Sequence, residues 1–98
     1  MERQRMSDAD RERYLSMVKM KITDPKVIAL IEEDIEHGLS AKEIDDYTDR
    51  HLKYEQQKAI SEMYRKDFPR AVIGAIGRSD MDAEKMRVAM ELYENNVS

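Results

Sequence analysis

The chain has 98 residues, a formal net charge of −4 and no cysteine. The absence of cysteine excludes disulfides, thiolate chemistry and cysteine-based zinc sites, and the acidic balance argues mildly against a general nucleic-acid binder. No apolar run approaches the roughly 18 residues that span a bilayer, and the N-terminal residues lack the apolar stretch of a secretory signal. We therefore expect a cytoplasmic protein without a membrane partner.

The composition favours a single all-α domain. Charged residues make up 39% of the chain, which contains only three glycines and two prolines, while good helix formers are abundant. This length allows one domain with a core just large enough to fold unaided. We predict a flexible N-terminus at residues 1–6 and one helical domain over residues 7–97.

The first predicted helix begins at Ser7, whose hydroxyl can cap it, and runs to about Met20. Acidic residues follow Ser7, where the positive end of the helix dipole favours them. We predict that Leu15 and Val18 face inward, and Tyr14 or Met17 is a further candidate for this face.

The second predicted helix begins at Thr23-Asp24-Pro25, where a capping residue precedes a proline in the first turn. Its apolar residues fall on one face at spacings of three and four: Val27, Ile28, Ile31 and Ile35. The pair His37-Gly38 ends this helix, because glycine readily adopts the left-handed conformation that closes a helix.

A short third helix is predicted to begin at Ser40, which forms a capping box with Glu43. It presents Ile44 and Tyr47 on one side. A loop near residues 49–52 then leads into a longer helix, whose predicted inner residues are Tyr54, Ile60, Met63 and Tyr64.

The last two predicted helices follow a break at Asp67-Phe68-Pro69. The fifth contains Val72, Ile73 and Ile76, and Gly77 lies in the segment that ends it. Asp82 is predicted to cap the sixth. The inner residues predicted for this final helix are Met86, Ala89, Met90 and Tyr93.

Apolar positions recur at a spacing of 29 residues along the chain. The corresponding sets are Leu15, Ile44 and Ile73; Val18, Tyr47 and Ile76; Ile28, Gln57 and Met86; Ile31, Ile60 and Ala89; Ile35, Tyr64 and Tyr93; and Leu39, Phe68 and Val97. Such a period indicates one supersecondary unit used several times. We predict an all-α fold of five or six helices, arranged as imperfect helix-turn-helix repeats stacked into a small bundle.

The turn Gly38-Leu39-Ser40, followed by Glu43-Ile44, resembles a short helical repeat of bacterial mobile-element accessory proteins. In that repeat Gln-Met opens a helix, and Gly-Leu-Ser precedes Glu and Val or Ile. Met86 matches the usual Met position, whereas Gln57 and Asp67-Phe68-Pro69 depart from the pattern in the second copy. Over residues 25–97 the resemblance implies helical stacking and association with other macromolecules, and it implies no catalytic residue.

The densest charge feature lies in residues 27–52, which carry eight acidic and two basic side chains. We interpret it either as a hydrated outer face or as a docking surface for a protein with a basic surface. That partner could be a nucleic-acid-binding protein whose groove is blocked by carboxylates that imitate phosphates. The candidate partner-binding residues are Glu32, Glu36, Glu43, Asp45, Asp46 and Asp49. A homodimer through an open end of the repeat array is a further expectation.

The alternative hypothesis is a helix-turn-helix DNA-binding regulator that uses residues 40–62. The residues that would contact DNA are Lys53, Gln56, Gln57 and Lys58. The helix-turn-helix motif normally has a small residue after Ile44 and an apolar residue four positions beyond it. Asp45 and Thr48 occupy these positions, so the pattern favours protein binding over DNA binding.

The sequence predicts neither an enzyme nor a cofactor. Asp80 and Glu91 have the spacing of the first and twelfth calcium-loop positions, but Lys85 stands where that loop needs glycine. His37 and His51 lack the spaced partners of a zinc motif. These features argue against a bound metal. We expect no nucleophilic catalysis either, because Ser40 and Thr23 serve better as helix caps and Ser61 lies in the middle of a predicted helix.

Overall fold

The computed structural model describes residues 5–97, which form six α-helices and contain no strand. The helices are α1 (Asp8–Lys21), α2 (Pro25–Glu36), α3 (Ala41–Thr48), α4 (Tyr54–Arg65), α5 (Arg70–Ile76) and α6 (Ala83–Val97). The all-α prediction is therefore confirmed. Of the N-terminal segment predicted to be flexible, residues 1–4 lie outside the described part of the chain.

The chain divides into two compact units, Met1–Asp46 and Tyr47–Ser98. The first unit contains α1, α2 and most of α3, and the second contains α4, α5 and α6. The division falls inside α3, which continues to Thr48. The single domain predicted over residues 7–97 stays a prediction.

The core of the first unit is built mainly from α2, the turn after it and α3, and α1 packs against α2. Its most deeply buried apolar side chains are Ile31, Ile35, Leu39 and Ile44. The helix α1 contributes less, because only Val18 is buried and Leu15 is half-buried. Met17, a candidate inner residue, is instead exposed.

The second unit is a three-helix arrangement in which α4 packs against both α5 and α6, and α5 packs against α6. The side chains of Ala59, Ile60, Met63, Ile73, Ile76, Met86 and Met90 form its core. Phe68 lies at the turn after α4, and its ring centroid is 4.8 Å from that of Tyr93 on α6. Most of the residues predicted to face inward in these three helices are buried, whereas Tyr54, Val72, Ala89 and Tyr93 are half-buried.

The 29-residue period is visible in how the longer helices begin. Asp24, Lys53 and Asp82 are the residues before α2, α4 and α6. The Asp24 carboxylate accepts a hydrogen bond from the Lys26 amide, and the Asp82 carboxylate accepts one from the Lys85 amide. The second copy replaces the acid, and there Gln56 Oε1 accepts from the Lys53 amide at 2.8 Å.

The same period places the turns that end α2 and α4. Gly38 and Asp67, 29 residues apart, both have a positive φ, of 88° and 57°. In each copy the next residue donates its amide to the carbonyl five residues earlier, Leu39 to Asp34 and Phe68 to Met63. These are the hydrogen bonds of a Schellman motif, which closes a helix through one left-handed residue.

Candidate partner-binding surface

Contacts of α1 with the end of α2 and with α3 place two of the predicted carboxylates in one neighbourhood of the first unit. The Arg11 guanidinium donates a hydrogen bond to Glu36, and the Tyr14 hydroxyl donates one to Asp45 Oδ1 at 2.7 Å. Arg11 and Tyr14 are three residues apart on α1, so their side chains lie on adjacent turns of the same face. The carboxylates of Glu36 and Asp45 are therefore held along one side of α1.

The ion pairs of Glu36 are at the protein surface. Arg5 Nη1 lies 3.6 Å from the second Glu36 oxygen, and the Glu36 side chain remains 47% exposed. Surface ion pairs of this kind contribute about 0–1 kcal/mol each. Cationic groups on a partner could therefore replace Arg5 and Arg11 at small cost.

The other predicted carboxylates differ in how they are placed. Glu32 and Asp46 are half-buried, so part of each side chain reaches solvent. Glu43 forms a capping box with Ser40 at the start of α3. Its Oε1 accepts a hydrogen bond from the Ser40 amide at 2.8 Å, and its own amide donates one to Ser40 Oγ. Asp49 is exposed and lies in the second unit, one residue after α3.

We define the acidic surface as the four predicted carboxylates of the first unit other than Glu43: Glu32, Glu36, Asp45 and Asp46. Its neighbours Arg11 and Tyr14 were not predicted from the sequence as part of the site. The contacts that bring them there join residues 25 and 31 positions apart. No local sequence signal reports contacts between residues so far apart in the chain.

The residues proposed for DNA binding divide into two pairs. Lys53 and Lys58 are exposed, as a phosphate contact requires. Gln56 and Gln57 are only 7% exposed. The Gln56 amide nitrogen donates to the Met81 carbonyl oxygen at 2.8 Å. Both glutamines are thus packed inside the second unit, where they are unavailable to base edges, and this placement argues against the alternative.

A shallow groove of about 700 Å³ lies in the second unit, between the turn after α4 and the end of α6. Phe68, Pro69 and Tyr93 supply its apolar wall, and Lys66 Nζ is 3.1 Å from Glu94 Oε1 at its rim. The lining contains no Ser, Cys or His that could act as a nucleophile or general base.

The two histidines are placed as surface residues. His37 Nδ1 donates to the Glu33 carbonyl oxygen at 2.9 Å, a helix-end contact, and His51 is exposed. Over residues 5–97 no cluster of three or more histidine or carboxylate side chains has an arrangement that could hold a metal ion.

Among the helices of the described residues, none is long and apolar enough to cross a bilayer.

Comparisons with protein-family models, with curated proteins and with solved structures find no match for this chain.

Proposed function

We propose that the protein is an interaction module or small inhibitor that binds a partner protein through its acidic surface. The observation that carries the proposal is the placement of Glu36 and Asp45 side by side along α1, in contact with Arg11 and Tyr14. The resemblance to a mobile-element repeat suggests a mobile-element or phage setting. In this proposal the partner presents a basic surface and nucleic acid is not the ligand.

The charge distribution supports this reading. Residues 27–52 carry eight acidic and two basic side chains, so the excess of negative charge in the chain is concentrated in this segment. A cluster of one sign raises association rates with an oppositely charged partner and orients the encounter. Because the internal ion pairs of Glu36 are weak and exposed, they would compete poorly with a partner's arginines.

The test is capture of a partner from lysate of the native host by the immobilised wild-type protein, with identification by mass spectrometry. Glu32→Lys/Glu36→Lys should abolish capture of that same partner, and binding to the purified partner should weaken as salt rises. The control is Glu12→Lys/Glu55→Lys, which makes the same net charge change on exposed residues outside the acidic surface. It should leave capture intact.

Two results would contradict the proposal. One is equal loss of capture in both double variants, which would show that capture depends on the net charge of the protein and not on the acidic surface. The other is a salt-sensitive shift of duplex DNA by the wild-type protein that Lys53→Glu/Lys58→Glu removes, which would establish the DNA-binding alternative instead.

A further inference from the structure

The large apolar side chains exposed on the described part of the chain form two pairs. Met17 and Met20, 51% and 85% exposed, lie three residues apart on α1. Val88 and Leu92, 52% and 59% exposed, lie four residues apart on α6. Residues three or four apart share one helix face, so each pair is a contiguous patch. We name them the α1 patch and the α6 patch.

The repeat register shows that the α6 patch occupies positions that are buried elsewhere. Val88 corresponds to Leu30 in α2 and Ala59 in α4, which are 6% and 0% exposed. Leu92 likewise corresponds to Asp34 and Met63, both 0% exposed. In α2 and α4 this face is therefore covered, and α6 alone leaves it open. Repeat arrays normally end in a polar face, because an open apolar face favours association.

The charges beside the two patches are complementary. Glu84 precedes Val88 by four residues and Glu91 follows it by three, and both are exposed. On α1, Arg13 precedes Met17 by four residues and Lys21 follows it by four, and these are exposed as well. Glu84 and Glu91 therefore border the α6 patch together with one cation, Lys85, which lies three residues before Val88. Arg13 and Lys21 border the α1 patch.

These charges are also available for an intermolecular contact. Within the described residues Glu84, Glu91 and Lys21 form no ion pair, and Arg13 makes only a 3.9 Å contact with Asp10. Opposite charges around an apolar centre favour docking and fix its orientation. The chemistry that the α6 patch would recognise, an apolar helix face bordered by cations, is presented by α1 of the same protein.

We propose that the protein associates with a second copy of itself by docking the α6 patch of one molecule on the α1 patch of the next. This interface is distinct from the acidic surface and does not depend on the proposed function. The two patches differ, so the contact is heterologous: each molecule contributes α6 to one interface and offers α1 to another. Association should therefore require both patches, but not both on the same molecule.

The experiment is sedimentation velocity over a concentration series with the wild-type protein, Met20→Glu and Leu92→Glu. The wild-type average mass should rise with concentration, and each variant should associate at least about tenfold more weakly, because a carboxylate would be buried in an apolar contact. An equimolar mixture of the two variants should form a complex of one molecule of each. In that pair the intact α6 patch of Met20→Glu meets the intact α1 patch of Leu92→Glu.

Two controls make the result specific. Ala75→Glu adds the same charge at an exposed position of α5 outside both patches, and its association should equal that of the wild-type protein. Circular dichroism should show unchanged helicity in all variants, because the substituted side chains are exposed. Lys21→Glu should weaken association, and mixing it with Glu91→Lys should recover part of the loss.

Three results would overturn the proposal. The first is a wild-type protein that stays monomeric across the whole series. The second is association lost in Leu92→Glu but kept in Met20→Glu, which would indicate a symmetric contact between two α6 helices. The third is a mixture of the two variants that remains monomeric although the wild-type protein associates.

Discussion

Two adjacent buried glutamines on α4 differ in whether their side-chain polar atoms have hydrogen-bond partners. Gln56 and Gln57 are equally buried, at 7% exposed. Gln56 Oε1 accepts from the Lys53 amide, and its Nε2 donates to the Met81 carbonyl oxygen. Gln57 Nε2 donates to the Tyr47 carbonyl oxygen at 3.3 Å, but Gln57 Oε1 is buried without a partner in the described structure.

We therefore expect substitutions of the two glutamines by methionine to have opposite effects. Gln57→Met should raise the free energy of unfolding by about 1 kcal/mol, because removing an unsatisfied buried acceptor outweighs losing the long 3.3 Å hydrogen bond to the Tyr47 carbonyl. The next repeat already has Met86 at this position. Gln56→Met should lower it by about 1–3 kcal/mol, because it leaves backbone groups unpaired. Urea denaturation of both variants measures the difference, and a change of the same sign in both would refute the explanation.

The three glycines occupy different environments, so substitution of each by alanine should change the stability of the protein differently. Gly38 has a φ of 88°, where an L-residue is strained, and a Cβ on Gly77 would lie 2.9 Å from the Ile73 carbonyl oxygen. Gly74 is inside α5, and a Cβ there would meet no atom within 4 Å.

Gly38→Ala should therefore destabilise the protein by about 1–2 kcal/mol. Gly77→Ala should also destabilise it, because the methyl group would collide with backbone. Gly74→Ala should stabilise it by about 0.5–1 kcal/mol, since alanine is the better helix former. Thermal denaturation of the three variants provides the ranking, and a destabilised Gly74→Ala would show that α5 is not helical at that residue.

At the scale of the helix, the sequence predicts those features that depend on interactions between residues a few positions apart. The caps formed by Ser40 and Asp82 join a side chain to a backbone amide three residues away. Periodic apolar positions likewise predicted the buried faces of α2 and α4. By contrast, the contact between Arg11 and Glu36 depends on how two helices pack, and the charges alone could not identify it.

The candidate site was therefore predicted only in part. The acidic character of residues 27–52 and the capping role of Glu43 followed from the sequence, but the partners of the other carboxylates did not. Glu43 could be assigned to a cap because Ser40 lies three residues before it. Asp45 shows the opposite case, because its partner Tyr14 is 31 positions away.

The turn between α5 and α6 contains an ion pair whose effect on pH dependence has a definite sign. Arg78 Nε and Nη2 donate to the two Asp80 oxygens at 2.9 and 2.5 Å. These hydrogen bonds, with the charge of Arg78, hold the pKa of Asp80 below its ordinary value of 3.8. Any stability they supply is present above the unfolded pKa of Asp80 and is lost as the pH falls through the folded pKa.

Replacing Arg78 should expose this dependence. In Arg78→Gln the pKa of Asp80, followed by NMR titration of its carboxyl carbon, should rise toward 3.8. At neutral pH the variant should unfold at nearly the wild-type temperature, because the pair is exposed to solvent. Arg87→Gln is the matched control: it removes a cation paired with Glu62 and should leave the pKa of Asp80 unchanged. An unchanged value in Arg78→Gln would mean that the pair does not persist in solution.

At the scale of the whole molecule, the division into two units raises the question of whether they unfold together. Each unit has about half of the 98 residues, and domains of that size bury too little apolar surface to be more than marginally stable alone. The helix α3 begins in the first unit and ends in the second. Because helix formation is cooperative along a continuous backbone, disorder in one unit should fray α3 and destabilise the other.

We therefore expect one unfolding transition shared by both units. Ile31→Ala, a change in the core of the first unit, should lower the free energy of unfolding by about 2–5 kcal/mol. In a urea titration followed by NMR, the methyl signals of Leu30 in the first unit and Ile60 in the second should shift to the same lower midpoint. The reciprocal variant, Met63→Ala in the second unit, should likewise lower the midpoint of Leu30. A midpoint of Ile60 that stays at its wild-type value in Ile31→Ala would show that the two units are separate folding domains, because the loss would then be confined to the unit that carries the substitution.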